Sequence, residues 1–94
     1  MAVGILMVDC LLGDGHSLKE KRRVLLSITQ KIRNNFNVSV TEVDHQNLWQ
    51  RSQIAVVAVN TEWQVLEGIF SKIISFMQRD PQFTLLNFES QKIY

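Results

Sequence analysis

The stretch HSLKEKRRVL, residues 16–25, holds four cations within five positions: Lys19, Lys21, Arg22 and Arg23, broken only by Glu20. His16 and Ser17 stand just before them. The chemistry open to such a set is anion binding, because ammonium, guanidinium, hydroxyl and free backbone amides all donate to phosphate oxygens. The location sharpens the reading. A helix should begin here, and that terminus already carries positive partial charge, so each cation costs about 0.3–1 kcal/mol unless an anion offsets it. Further along, Trp49 offers a stacking face and Arg51 a second guanidinium beside it. His16, Ser17 and His45 are the further candidates for contact with an anion. An ordinary solvated surface could carry the same charge, and a loop tryptophan can equally be a lid over an apolar edge.

Other constellations are weaker. In EVDHQ, residues 42–46, Asp44 and His45 are adjacent on a strand and therefore face opposite sides. No His-x-x-x-His or cysteine pair completes a tetrahedral set, so neither a metal nor a cofactor is expected. Asp44 reads better as a partner for a nearby arginine or as a cap for the loop. Cys10 is the single cysteine; it excludes an internal disulfide, fits a reducing cytosol and reads as a buried thiol rather than a nucleophile.

The elements that must position these groups follow from periodicity. Residues 2–12 are aliphatic on both parities, as in a strand covered on both faces, and this beginning reads as a strand rather than a signal peptide. Ser17 with Glu20 forms a capping box for a helix whose stripe is Leu18, Leu25, Ile28, Ile32 and Phe36. Lys21 and Arg22 fall on or beside that stripe, so their heads should run past the sheet to its end. Val38, Val40 and Val43 mark a second strand with a bulge, and SQIAVVAVN a third. Thr61 with Gln64 makes a second capping box, Leu66, Ile69, Phe70, Ile73 and Met77 a second stripe, and Asp80-Pro81 a stop. FTLLNF is the fourth strand.

The order β-α-β-β-α-β predicts an α+β, ferredoxin-like domain over residues 1–94: a four-stranded antiparallel sheet with two helices on one face. That topology collects His16, Lys19, Lys21, Arg22, Arg23, His45, Trp49, Arg51 and Arg79 at one pole. It also leaves one sheet face open. The aliphatic residues there should be covered by a second copy, making a homodimer, or by the tail SQKIY.

Charge is uneven. Residues 16–36 hold six Lys/Arg and one Glu, net +5, while the rest holds four Lys/Arg and eight Asp/Glu, net −4, within a total of +1. A basic element on a mildly acidic body can steer an anionic partner. RNA-recognition motifs share the architecture but read bases with aromatics on the first and third strands. AVGILMVDCLL and QIAVVAV contain none. Acylphosphatases also share it, yet their Gly-rich phosphate turn ending in Phe-Arg and their catalytic Asn have no match here.

The segments HSLKEKR and FNVSVTEVDHQNLWQR, within residues 16–51, resemble the YlxP-like family of small uncharacterised bacterial proteins, and the general pattern extends from residue 1 to about 80. The resemblance implies a ferredoxin-like domain with no established biochemical activity. It also implies a gene that in many bacteria lies between those for translation initiation factor two and ribosome-binding factor A, a neighbourhood that points to ribosome assembly or translation. The expectation is therefore a non-enzymatic cytoplasmic protein. It would bind RNA or the small ribosomal subunit through Lys19, Lys21, Arg22, Arg23, Trp49 and Arg51, without DNA sequence specificity and without a membrane span. An oligomeric protein-interaction or regulatory module is the alternative, and a phosphate-handling, acylphosphatase-like enzyme the third reading.

Overall fold

The computed structural model describes residues 1–13 and 17–94. The elements run β1 (Ala2–Leu12), α1 (Leu18–Asn35), β2 (Ser39–Asp44), β3 (Arg51–Asn60), α2 (Trp63–Gln78) and β4 (Phe83–Lys92). The sheet order is β2-β3-β1-β4, with every neighbouring pair antiparallel. This is the ferredoxin-like arrangement that the element order predicts.

Strand alternation divides β1 cleanly. Ala2, Leu6, Val8, Cys10 and Leu12 are buried beneath the helices, while Val3, Ile5, Met7 and Asp9 are half-buried on the other face. Register carries the division across the sheet. Leu6 opposes Val56 and Val8 opposes Ile54 on the helix side; Ile5 opposes Val57 and Met7 opposes Ala55 on the open side. The helices close the core with Leu25, Ile28 and Ile32 from α1 and Leu66, Phe70, Ile73, Ile74 and Met77 from α2.

Local signals fix the ends. Ser17 caps α1, its Oγ accepting from the Glu20 amide at 3.2 Å. The second capping box does not form as expected. Asn60 Oδ1 instead accepts from the amides of Thr61 (2.8 Å) and Glu62 (3.4 Å), so α2 starts at Trp63 with Glu62 at its cap position and no side-chain cap bond. The β2 bulge lies between Glu42 and Asp44; Glu42, before it, shares the helix side with Val40 by ordinary alternation, and after it Asp44 pairs with Gln53 on the open side. The tail does not fold over the open face: residues 89–92 extend β4, and the amides of Ile93 and Tyr94 bond to Val3.

Gly4 is where α2 meets the sheet. A Cβ there would stand 2.6 Å from Trp63 Cζ3 and 3.0 Å from Phe70 Cε2, two rings that meet edge to face with centroids 6.4 Å apart. Gly68, within α2, has open space around it. The same substitution should therefore act with opposite sign at the two sites. Gly4→Ala should destabilise by about 1–3 kcal/mol through overpacking, and Gly68→Ala should stabilise by about 0.4–1 kcal/mol through reduced freedom of the unfolded chain, both read from urea unfolding.

Candidate nucleic-acid interface

Strand ends and loops meet at one pole. The Leu12 amide donates to Gln50 O and the Gly13 amide to Gln82 O, each at 2.8 Å, which ties the end of β1 to the β2–β3 loop and to the α2–β4 turn. Residues 14–16 lie outside the described set, so the expectation for His16 falls there too.

Lys21 departs from expectation. Its ammonium is not presented to solvent; the residue is 2% exposed. It donates to His45 O (2.6 Å) and Leu48 O (2.5 Å) and pairs with Glu42 Oε2 (2.8 Å). Three acceptors match the three N–H bonds of an ammonium. Glu42 Oε2 also accepts from Ser52 Oγ at 2.6 Å, and the Cys10 thiol donates to Ser52 O at 3.7 Å. A buried polar chain thus links the first turn of α1 to β2, β3 and β1. With its donors occupied inside, Lys21 is a structural lysine and leaves the phosphate-contacting set.

The other expected residues separate by direction. Lys19, Arg22 and Arg23 are exposed on the first turns of α1. Successive helical residues are about 100° apart, so Lys19 and Arg23 share the face opposite Lys21 while Arg22 stands on one flank. Arg23, Glu20 and Val24 line a cleft of about 270 Å³ together with Leu12, half-buried Trp49, Pro81 and Gln82. Arg51 is exposed and pairs with Leu11, so alternation places it on the open sheet face, away from the Trp49 cleft. Arg79 lines grooves with Lys31 and with Asn35 and Phe36, against the second half of α1, and stands apart from the cluster.

Ser17 and His45 have local duties. The Ser17 hydroxyl caps α1. His45 adopts a left-handed backbone, φ 67°, which Asp44 supports by accepting the His45 amide at 2.7 Å. Asp44 therefore caps the loop, as one of its two expected roles had it. The imidazole Nδ1 is 4.0 Å from Asp44 Oδ1, and it is the His45 carbonyl, not the ring, that holds Lys21. Among the described residues, no three His, Cys, Asp or Glu side chains come together to hold a metal, and no helix is long and apolar enough to cross a membrane.

A family model described as a protein of unknown function, DUF503, matches residues 3–90. The chain belongs to this family. It is 34% identical over 80 residues to the uncharacterized protein YlxP of Bacillus subtilis (strain 168), covering 85% of this chain and 87% of that one. Among solved structures it is similar to the de novo designed protein Foldit4 (TM-score 0.54, 11% identity, 100% of this chain and 98% of that one). It is also similar to a designed protein with a ferredoxin fold (TM-score 0.52, 13% identity, 100% and 87%). At such identity these two matches speak to the fold alone.

Two outcomes follow from the buried chain. Lys21→Met should cost about 3–5 kcal/mol, because it strands a largely buried carboxylate, whereas Lys21→Met/Glu42→Leu should recover part of the loss in urea unfolding. Burial, reinforced by Asp9 and Glu42, pushes the Cys10 thiol up to about 11. The unfolded thiol ionises near 9, so stability should hold below pH 9 and fall as pH rises from 9 toward 11. Cys10→Ser, compared by urea unfolding across that range, should lack the decline.

Proposed function

We propose that the protein is a non-enzymatic RNA-binding protein of the bacterial cytoplasm that contacts structured RNA, with the small ribosomal subunit as its first candidate partner. The carrying observation is the exposed set Lys19, Arg22 and Arg23 on the opening turns of α1, beside the cleft that Arg23 and Trp49 line together. Phosphates would meet the cations, and an unpaired base would enter the cleft against the indole, where stacking is worth about 1–3 kcal/mol per base. The cleft lies slightly below the usual range for small-molecule sites, roughly 300–1,000 Å³, which suits a single inserted group. Arg51, on the other sheet face, would contribute at the margin. The gene neighbourhood of the YlxP-like family supports a ribosomal setting.

The second reading, a protein-interaction or regulatory module, is favoured by the apolar open face of the sheet. The third is an acylphosphatase-like enzyme, and failure of the purified protein to hydrolyse an acyl phosphate would remove its simplest form.

Cosedimentation with small ribosomal subunits across a salt series distinguishes these readings. Three to four phosphate contacts give a log–log slope of about −2.7 to −3.6 on the duplex scale. Lys19→Glu/Arg22→Glu/Arg23→Glu should abolish binding while leaving the unfolding midpoint nearly unchanged, and Trp49→Ala should weaken it about 5- to 150-fold. Lys21 is left intact, since its loss would act through the fold. Wild-type protein that stays in the supernatant at low salt would overturn the RNA reading.

A further inference from the structure

The open sheet face has an ordered pattern. Val3, Ile5 and Met7 of β1 lie beside Val59, Val57 and Ala55 of β3, and Ile93 continues the apolar surface next to Val3. Val57 is 38% exposed, Val59 60% and Ile93 57%. Charge on these two central strands is confined to the pole end, where Asp9 opposes Gln53 and Arg51 opposes Leu11. These two strands are thus apolar at one end and carry one acid and one base at the other, while the edge strands add Glu89, beside Met7, and Asp44, beside Gln53, to the same face.

Its size suits a stable interface. Four strands about 4.8 Å apart and about nine residues long at ~3.3 Å each give a footprint of roughly 600 Å². Side-chain relief brings the accessible area near the ~800 Å² per partner of a standard interface. Packed sheets stand about 10 Å apart and keep their strands within about 30° of one another.

The pattern also selects the symmetry. A two-fold axis across the strands, through the middle of the face, would set Asp9 over the partner's Ile5. A two-fold axis running along the strands, between β1 and β3, superposes like rows: apolar on apolar at one end, β1 of one copy over β3 of the other. It brings Asp9 near Gln53 and Arg51 of the partner subunit, and by symmetry the reverse. We propose that this face is an isologous homodimer interface about that axis, a four-layer α/β/β/α assembly that carries both basic poles at one end. The proposal stands independently of what the poles bind.

Equilibrium sedimentation at 1–100 µM tests it. Wild type should show twice the chain mass of 10.9 kDa. Val57→Lys should be folded by circular dichroism and monomeric, whereas Phe88→Lys, exposed on the helix-side register of β4, should remain dimeric. The decisive arm mixes two charge variants. Asp9→Arg alone and Arg51→Asp alone should each dimerise about tenfold or more weakly, since like charges then face across the axis. An equimolar mixture of the two should recover the dimer, because positions 9 and 51 across the axis are again opposite in sign. A wild-type monomer at 100 µM, or a mixture that stays as weak as its components, would overturn the proposal.

Discussion

The buried ammonium of Lys21 is the contact on which the pole depends. It fixes the α1 start against the β2–β3 loop by holding two loop carbonyls, and it neutralises Glu42, which strand alternation points inward beside Val40. Desolvating such a pair cancels much of its Coulombic gain, so an apolar pair of similar shape would restore part of the stability lost with the lysine alone. What a packed methionine could not do is satisfy His45 O, Leu48 O and Glu42 at once. The value of the pair is geometric. Trp49 follows Leu48 directly, so the same ammonium that anchors the loop places the indole at the cleft.

The rest of the fold supplies a rigid frame for that contact. The two central strands, β1 and β3, are long, run antiparallel and bury one face under both helices, so the end of β1 cannot drift relative to the β2–β3 loop. The cations that remain in water leave from a capped helix terminus rather than a floppy segment. Ser17 satisfies one free amide and Glu20 puts a counter-charge in the first turn, while Lys19, Arg22 and Arg23 point away from the interior. Division of labour among four neighbouring cations, one inward and three outward, is the main feature of this end of the molecule.

Much of this was legible in the chain. Alternation in residues 2–12, the Ser17–Glu20 cap and the two helical stripes each have a period that belongs to one kind of element, and the topology follows from their order. Lys21 was half legible: its place on the apolar stripe pointed inward. Its partner Glu42, however, is 21 positions away, and only the packing of α1 on β2 makes the two meet. The end of β4 was missed because an edge strand exposed on both faces need not alternate, so ESQK carries no strand signature. The start of α2 was misplaced because Asn60, outside the expected box, competes for the amides of Thr61 and Glu62. Arg51 shares the pole with Trp49 in sequence, but the period of two at the start of β3 sends it to the opposite face.

Titration of ¹⁵N-labelled protein with a short RNA hairpin that carries unpaired loop bases, followed by heteronuclear NMR, addresses the assignment of RNA binding to the pole most directly. Binding there predicts shifts in the backbone amides of Lys19, Arg22 and Arg23 and in the Trp49 indole N–H, with Val57 and Val59 unmoved. Shifts centred on the open sheet face, or none at any site at low salt, would contradict it.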